Sequence, residues 1–156
     1  MKKTILKWTL IIGLTGGTIG GGYGIYMFNM PHRDVQGTNA DFTLEAQTLV
    51  EEYLNNAAAA NEKYLQEDGD SKVIIVYGRV ASIDIDLKGQ RVIQLKEVNG
   101  KAGISCTFME STNANAEALR PGQLVKIKGV IRSGAGYDED LDLYEDVILE
   151  KCDLVS

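Results

Sequence analysis

The apolar and polar positions divide the chain into three parts. No charged residue occurs between positions 8 and 28, and residues 29–42 then show no sustained period. From position 43 onwards, apolar residues first recur every three or four positions and later alternate with polar ones. These patterns predict a cytoplasmic stub with a transmembrane helix (residues 1–28), a linker (29–42) and a mainly β domain that begins with an amphipathic helix (43–156).

The uncharged segment is long enough to cross a bilayer. Its 21 residues would span about 31 Å as a helix, close to the thickness of one hydrocarbon core. Three lysines precede it and only Arg33 follows closely, so the positive-inside rule places the N-terminus in the cytoplasm. We therefore expect a single-pass protein of a bacterial inner membrane with a periplasmic or extracellular C-terminal domain. A cleaved signal peptide is the alternative, although the apolar run continues beyond the glycines that would supply a cleavage site.

The predicted span carries glycines at four-residue intervals. Glycines at this spacing let membrane helices approach closely and gain van der Waals contact. The spacing favours self-association of the span through Gly13, Gly17, Gly20 and Gly24. The alternative is a weakly apolar anchor whose glycines fall four residues apart by coincidence.

Periodicity beyond the linker predicts one helix and a long first strand. The helix covers residues 43–65, and seven residues form its apolar face: Ala46, Leu49, Val50, Tyr53, Ala57, Ala60 and Tyr64. The strand covers residues 73–85, and Gly78 within it is expected to mark a bulge or a sharp coil. Three of its residues are expected to face inward: Val73, Ile75 and Tyr77.

Four further strands follow, interrupted by a short helix. Asn99 and Gly100 predict a hairpin turn between the second and third strands. The strands are predicted at residues 91–97, 103–109, 124–132 and 143–154, with a short helix at 113–119 and a polar loop at 133–142. The alternation of the last strand is broken near residues 147–149, as a bulge would do.

Three strands, a short helix and two more strands form the element order of an OB-fold, a five-stranded Greek-key barrel. Five sequence features also resemble the tRNA_anti-like family: Ala-Asn-Glu-Lys-Tyr (60–64), Val-x-Gly-x-Val around Gly78, Gly-Ile-Ser-Cys-Thr-Phe (103–108), Leu-Arg-Pro-Gly-Gln-Leu-Val-Lys-Ile-Lys-Gly (119–129) and Cys152. The resemblance covers residues 43–155. It implies an OB barrel preceded by a helix, often in envelope proteins, and supplies no catalytic residue.

The two cysteines are candidates for a disulfide. Cys106 lies in the predicted third strand and Cys152 in the fifth, and these strands are neighbours in an OB barrel. Each cysteine shares a face with apolar residues, so the two sulfur atoms can approach within bonding reach. Because an extracytoplasmic location favours oxidation, we expect a disulfide. Two buried thiols are the alternative.

The net charge of −6 is divided unevenly. Residues 1–34 contain four basic residues and one acidic residue, which leaves −9 on the remainder. An acidic domain repels phosphates, and the outward positions of the second and third strands hold no aromatic ring for base stacking. Those positions are Gln94, Lys96, Ser105, Thr107 and Met109. A short basic stripe on the fourth strand (Lys126, Lys128 and Arg132) is interpreted as a solvated face, so nucleic acid is not an expected partner.

Six of the ten residues 137–146 are acidic. They fall between the fourth and fifth strands, where OB-folds commonly bind ligands. Four carboxylates form the candidate ligand or metal site: Asp138, Glu139, Asp140 and Asp142. Clustered carboxylates suit Ca²⁺, although their spacing does not match an EF-hand loop. A solvated acidic turn and a surface for a cationic partner are the alternatives, and no other cofactor is expected.

The sequence offers no set of residues for a familiar catalytic mechanism. Its single histidine, His32, lies in the predicted linker, and neither a nucleophile elbow nor a phosphate-binding loop is found. We therefore expect a non-catalytic, membrane-anchored OB-fold module that binds an envelope protein or a small or cationic ligand. The alternatives are a single-stranded oligonucleotide-binding protein and a structural subunit that self-associates through its glycine-rich anchor.

Overall fold

Five strands close into a barrel in the computed structural model, which describes residues 34–65 and 71–155. The strands pair in the order β2-β3-β4-β8-β5, and β5 returns to pair with β2. In chain order the elements are β1 (Phe42–Glu45), α1 (Ala46–Asn55), α2 (Ala57–Tyr64), β2 (Val73–Ile85), β3 (Arg91–Leu95), β4 (Ile104–Phe108), a 3₁₀ helix (Asn113–Ala116), β5 (Leu124–Ser133), β6 (Gly136–Asp138), β7 (Leu143–Glu145) and β8 (Val147–Leu154).

This topology confirms the predicted OB-fold barrel. The β4–β8 pair is parallel, and the other pairs within the barrel are antiparallel. The 3₁₀ helix lies between the third and fourth barrel strands, where OB-folds place their helix. One addition was not predicted: β1 pairs in parallel with the first half of β2, with Phe42 opposite Ile74.

The barrel core is built from alternating residues of the five strands. Ile93 and Leu95 of β3 and Cys106 of β4 are fully buried, as their alternation predicted. The predicted face of β2 was wrong except at Val73, which is fully buried as predicted. Tyr77 is 42% exposed, whereas Ile74 and Val76 on the opposite face are fully buried. Between Ile74 and Val80, the inward face of β2 therefore consists of the even-numbered positions.

Gly78 belongs to that inward face and does not form the expected bulge. The register shift of β2 against β3 lies between Val80 and Ser82 instead. A Cβ at position 78 would lie 2.9 Å from the Cβ of Ala46 at the start of α1. The glycine therefore lets α1 approach the barrel wall.

The predicted helix over residues 43–65 is correct only in part. Its first residues form the short strand β1, because Phe42 and Leu44 alternate toward the core. The remainder is interrupted at Asn56, whose φ of −156° is not helical and whose side chain accepts a hydrogen bond from the Ala59 N–H at 3.1 Å. Asn56 therefore caps a second helix. Ala57 lies at the start of that helix and is exposed, contrary to its predicted inward position.

The last third of the chain contains a hairpin that was not predicted. Residues expected to form a polar loop and the beginning of a long final strand form β6 and β7, with Tyr137 opposite Tyr144. The register of β8 shifts between Leu149 and Cys152, and Lys151 has a φ of 56°. The irregularity expected near residues 147–149 thus falls slightly later, and it lets both Leu149 and Cys152 face the core.

Residues 34–38, within the predicted linker, pack against the barrel. Val35 is buried, and the Gln36 side-chain amide donates to the Lys151 carbonyl oxygen at 2.7 Å. The Lys128 ammonium group donates to the Gln36 carbonyl oxygen at 2.8 Å. These contacts hold the first residues of the domain against strands β5 and β8.

Candidate functional site

A groove of about 730 Å³ lies between α1, the turn joining β3 to β4, and the β6–β7 hairpin. The hairpin is the connection between the fourth and fifth strands of the barrel, where OB-folds commonly bind ligands. Eight of the lining residues carry the chemistry discussed below: Gln47, Glu51, Tyr53, Asn55, Ala57, Lys101, Tyr137 and Tyr144. The groove therefore combines aromatic faces, amides and charges of both signs.

Two tyrosines form the hairpin side of the groove. The ring centroids of Tyr137 and Tyr144 are 4.9 Å apart and the rings are tilted by 49°, which is a favourable aromatic contact. Tyr137 is 48% exposed. Its hydroxyl donates a hydrogen bond to Oδ1 of Asp142, and this bond raises the pKa of Tyr137. Nζ of Lys101 lies 5.4 Å from the centroid of Tyr144, within cation–π range.

The acidic residues that the sequence singled out shape the tip of this hairpin. Oδ1 of Asp138 accepts hydrogen bonds from the backbone N–H groups of Asp140 and Leu141, at 2.9 and 3.0 Å. Asp142 adopts a φ of 51°, which an aspartate tolerates in a tight turn. Two of the four candidate carboxylates, Asp138 and Asp142, thus stabilise the turn, while Glu139 and Asp140 are exposed.

No cluster of three or more acidic, histidine or cysteine side chains with metal-binding geometry occurs among the described residues. Ca²⁺ binding at this turn stays a prediction. Besides the turn contacts of Asp138 and Asp142, the four carboxylates place negative charge at the hairpin tip beside the groove.

Asp146 holds the base of the hairpin against the barrel. Its carboxylate accepts from the Gln94 side-chain amide at 2.6 Å and from the Gly103 N–H at 2.7 Å. The Val147 N–H donates to the Gly103 carbonyl oxygen at 3.0 Å. Sequence reasoning counted Asp146 only as one more acidic residue. Asp146 directly precedes Val147, where the alternation of the predicted last strand is broken, and this position could have indicated a structural role.

Tyr53 packs deep at the helix side of the groove. It is 2% exposed, and its hydroxyl forms no hydrogen bond within the described part of the chain. Burial, together with Tyr64 and Glu52 nearby, raises the pKa of Tyr53 to about 12, so the phenol is neutral at physiological pH. Gly134 lies against its ring, leaving no room for a side chain there. The sequence identified Tyr53 only as a core residue.

The outer face of β3 and β4, which binds ligands in many OB-folds, is polar, and Gln94 on it is hydrogen-bonded to neighbouring side chains. Gln94 is tied to Asp146, and its Oε1 lies 3.4 Å from the Ser82 hydroxyl. Ser105 and Thr107 are half-buried beside it. On β5, Lys128 of the basic stripe is occupied by its bond to the chain entry. The outer face of β3 and β4 therefore lacks the aromatic platform on which single-stranded nucleic acids stack. Within the basic stripe, Lys126 lies opposite Tyr77 of β2, which is 42% exposed.

The predicted neighbourhood of the two cysteines is confirmed by the β4–β8 pairing, whereas the disulfide stays a prediction. Cys106 and Cys152 are both fully buried. Burial, with the hydrogen-bonded thiol of Cys106 beside it, raises the pKa of Cys152 well above its ordinary value. The pair lies in the barrel core, away from the groove residues.

The predicted transmembrane helix and its glycines, Gly13, Gly17, Gly20 and Gly24, lie outside the described residues, as does His32. Within residues 34–65 and 71–155, no helix has the length and apolar character needed to span a membrane.

Two solved structures are similar to this chain. The structure is similar to that of a lipoprotein from Klebsiella pneumoniae, provisionally described as nucleic acid-binding, with a TM-score of 0.53 and 19% identity over 81% of this chain and 100% of that chain. At this identity the likeness establishes the fold alone. The chain also matches a structure of the S. pombe Stn1–Ten1 complex, with a TM-score of 0.36 and 22% identity over 53% of this chain and 57% of that chain.

The tRNA_anti-like family model matches residues 1–141. The chain therefore belongs to the tRNA_anti-like family, which confirms the resemblance carried by its sequence motifs. The match begins at residue 1, whereas the motif resemblance began at residue 43. A comparison with curated protein sequences found no significant match.

Proposed function

We propose that this protein is a membrane-anchored OB-fold module of the bacterial envelope that binds a partner or ligand without catalysis. The groove between α1 and the β6–β7 hairpin is its binding site. The uncharged segment 8–28, with lysines before it, supports the anchor and an extracytoplasmic position for the domain. The description of the Klebsiella pneumoniae protein as a lipoprotein supports an envelope location.

The observation that carries the proposal is the contrast between two surfaces. The outer face of β3 and β4 is polar, and its Gln94 is already hydrogen-bonded to Asp146. The groove instead presents a partly exposed aromatic pair, Tyr137 and Tyr144, at the loop position that OB-folds use for recognition. Concave surfaces with aromatic walls and a few placed polar groups are typical binding sites.

The chemistry of the lining supports binding rather than catalysis. The groove residues offer phenol, amide, carboxylate and ammonium groups. Histidine, cysteine and serine, the usual nucleophiles and proton carriers, do not occur among the described residues that line it. The buried cysteine pair is inaccessible to a substrate.

Nucleic-acid binding is the second candidate, because the Klebsiella pneumoniae protein is described in those terms and because the two groove tyrosines could stack on bases. Electrostatics favours the first candidate. The acidic hairpin tip lies beside the tyrosines, and residues 35–156 carry a net charge of −9. A phosphate backbone would therefore meet repulsion at the same place as the stacking surface.

Cross-linking of the intact protein in its native membrane, followed by mass spectrometry, tests the proposal. Ala57 lines the groove and is exposed, so Ala57→Trp fills the site without entering the core. We expect recovery of the cross-linked partner to fall by roughly tenfold, equivalent to about 1.4 kcal/mol of binding free energy.

The matched control is Ala58→Trp, one residue further along the same exposed helical turn and outside the groove lining. It should leave the cross-linked partner unchanged, and both variants should melt within a few degrees of the original protein. Equal recovery with both variants would contradict a groove site. Recovery of self-links alone would favour the structural subunit that associates through Gly13, Gly17, Gly20 and Gly24.

A further inference from the structure

The groove already contains one positive charge on an aromatic face. Nζ of Lys101 lies 5.4 Å from the centroid of the Tyr144 ring, and an ammonium or guanidinium within about 6 Å of a ring centroid is attracted by the ring quadrupole. Lys101 belongs to the turn between β3 and β4, and its residue is exposed. An exposed lysine at this distance can be displaced from the ring by a competing cation.

The second tyrosine is prepared for the same interaction. Tyr137 donates its hydroxyl hydrogen to Asp142, which places a carboxylate beside the ring. Its ring contacts that of Tyr144 at a tilt of 49°, so the two rings lie next to each other on the hairpin side of the groove. The faces of both rings attract cations through their quadrupoles.

The opposite side of the groove provides acceptors. The Glu51 carboxylate accepts a hydrogen bond from the Gln47 side-chain amide at 2.9 Å and keeps its second oxygen toward exposed surroundings. The Tyr53 side chain also lines the groove, but its hydroxyl oxygen is buried and is not accessible to a ligand.

We infer that the groove binds an ammonium- or guanidinium-bearing ligand, and that Lys101 is an internal cation which this ligand displaces from the Tyr144 ring. The inference rests on the proposed function, because it assigns a ligand class to the same groove. Basic side chains of a peptide and free amines share this chemistry. A peptide side chain is favoured, because the lining residues follow α1 from Gln47 to Asn55, which is about 12 Å of helix beside which flanking peptide backbone can lie.

Lys101 makes the inference testable, because Lys101→Gln should change the affinity for a cationic ligand and for an anionic ligand in opposite directions. A cationic ligand competes with Lys101, so Lys101→Gln should bind it about two- to fivefold more tightly. An anionic ligand would pair with Lys101, so the same variant would bind it more weakly. Lys88→Gln, at an exposed lysine outside the groove lining, is the matched control and should change nothing.

The experiment is calorimetric titration of the full-length protein in detergent at low salt with N-acetyl-Gly-Arg-Gly-amide. The same peptide with citrulline replacing arginine is its uncharged counterpart, and N-acetyl-Gly-Asp-Gly-amide is its anionic counterpart. We expect binding of the arginine peptide only, tighter binding by Lys101→Gln and weaker binding by Tyr144→Leu. Spermidine is the second probe. Binding of spermidine without binding of the arginine peptide would assign the groove to free amines and overturn the choice of a peptide side chain.

Equal binding of the citrulline peptide, preference for the aspartate peptide, or weaker binding after Lys101→Gln would overturn the inference. Failure of the arginine peptide and of spermidine to bind at millimolar concentration would overturn it as well. In each case the groove would remain the proposed site if Ala57→Trp still removed the cross-linked partner while Ala58→Trp did not. The two failures are therefore distinguishable.

Discussion

Replacing Gly134 by alanine is expected to lower the free energy of unfolding by about 2–3 kcal/mol. An ideal Cβ at this position would overlap Cδ1 and Cε1 of Tyr53 and lie 2.7 Å from Cζ. The Tyr53 ring cannot yield easily, because it is 2% exposed and contacts the Tyr64 ring at a centroid distance of 6.1 Å. Chemical denaturation of the two proteins measures the difference directly.

Gly136 is the matched control for this substitution. It lies two residues further along the same segment, and a Cβ there would meet nothing within 4 Å. Gly136→Ala should therefore leave stability unchanged or raise it slightly, since alanine restricts the unfolded chain. If Gly134→Ala is as stable as Gly136→Ala, the packing of Tyr53 under the hairpin segment is wrong. In a Tyr53→Ala background the penalty of Gly134→Ala should largely disappear.

Reduction of a Cys106–Cys152 disulfide is expected to lower the free energy of unfolding by about 2–4 kcal/mol. The bond would close a loop of about 46 residues between two parallel neighbouring strands, and closing such a loop restricts the unfolded chain. Both cysteines are fully buried, and the raised pKa of Cys152 keeps its thiol protonated near neutral pH. Because the thiolate is the reactive form, we expect the bond to form during folding, with an exported thiol–disulfide oxidoreductase as oxidant.

Counting thiols under denaturing conditions tests this expectation. Protein isolated from its native compartment without reductant should have no free thiol, and its melting temperature should fall when a reductant is added. The Cys106→Ala, Cys152→Ala double variant separates the bond from the packing of the sulfur atoms, because reductant should not affect its melting temperature. Two free thiols in the native protein would contradict the disulfide and weaken the case for an extracytoplasmic domain.

The barrel could be predicted because its strands alternate clearly. In β4 apolar and polar residues alternate strictly, and in β3 the polar Gln94 separates Ile93 from Leu95, so Ile93, Leu95 and Cys106 could be assigned to the core. The β2 segment begins with five consecutive apolar residues, Val73 to Tyr77. Such a run shows no alternation from which the inward face could be recognised. An error of one residue moves every side chain to the opposite face of the strand. Tyr77 was placed inward for that reason.

The groove could not be predicted, because its parts come from distant segments of the chain. Tyr53 lies on α1, Lys101 in a turn and Tyr144 in a hairpin of three-residue strands. Short strands give little periodic signal, and the acidic residues between β6 and β7 favoured a loop. The sequence did not indicate that Tyr137 pairs with Tyr144 across the hairpin, and this pairing forms one side of the groove. The acidic character of the segment was recognised, but its role in forming a turn beside an aromatic wall required the fold.

Site-specific photo-cross-linking in the native membrane tests the central claim most directly. A photoreactive amino acid replaces Asn55, which lines the groove, or Thr107, which lies on the outer face of β4. The groove site predicts a cross-linked partner from position 55 and none from position 107. A partner cross-linked from position 107 and absent from position 55 would place binding on the sheet face and contradict the account.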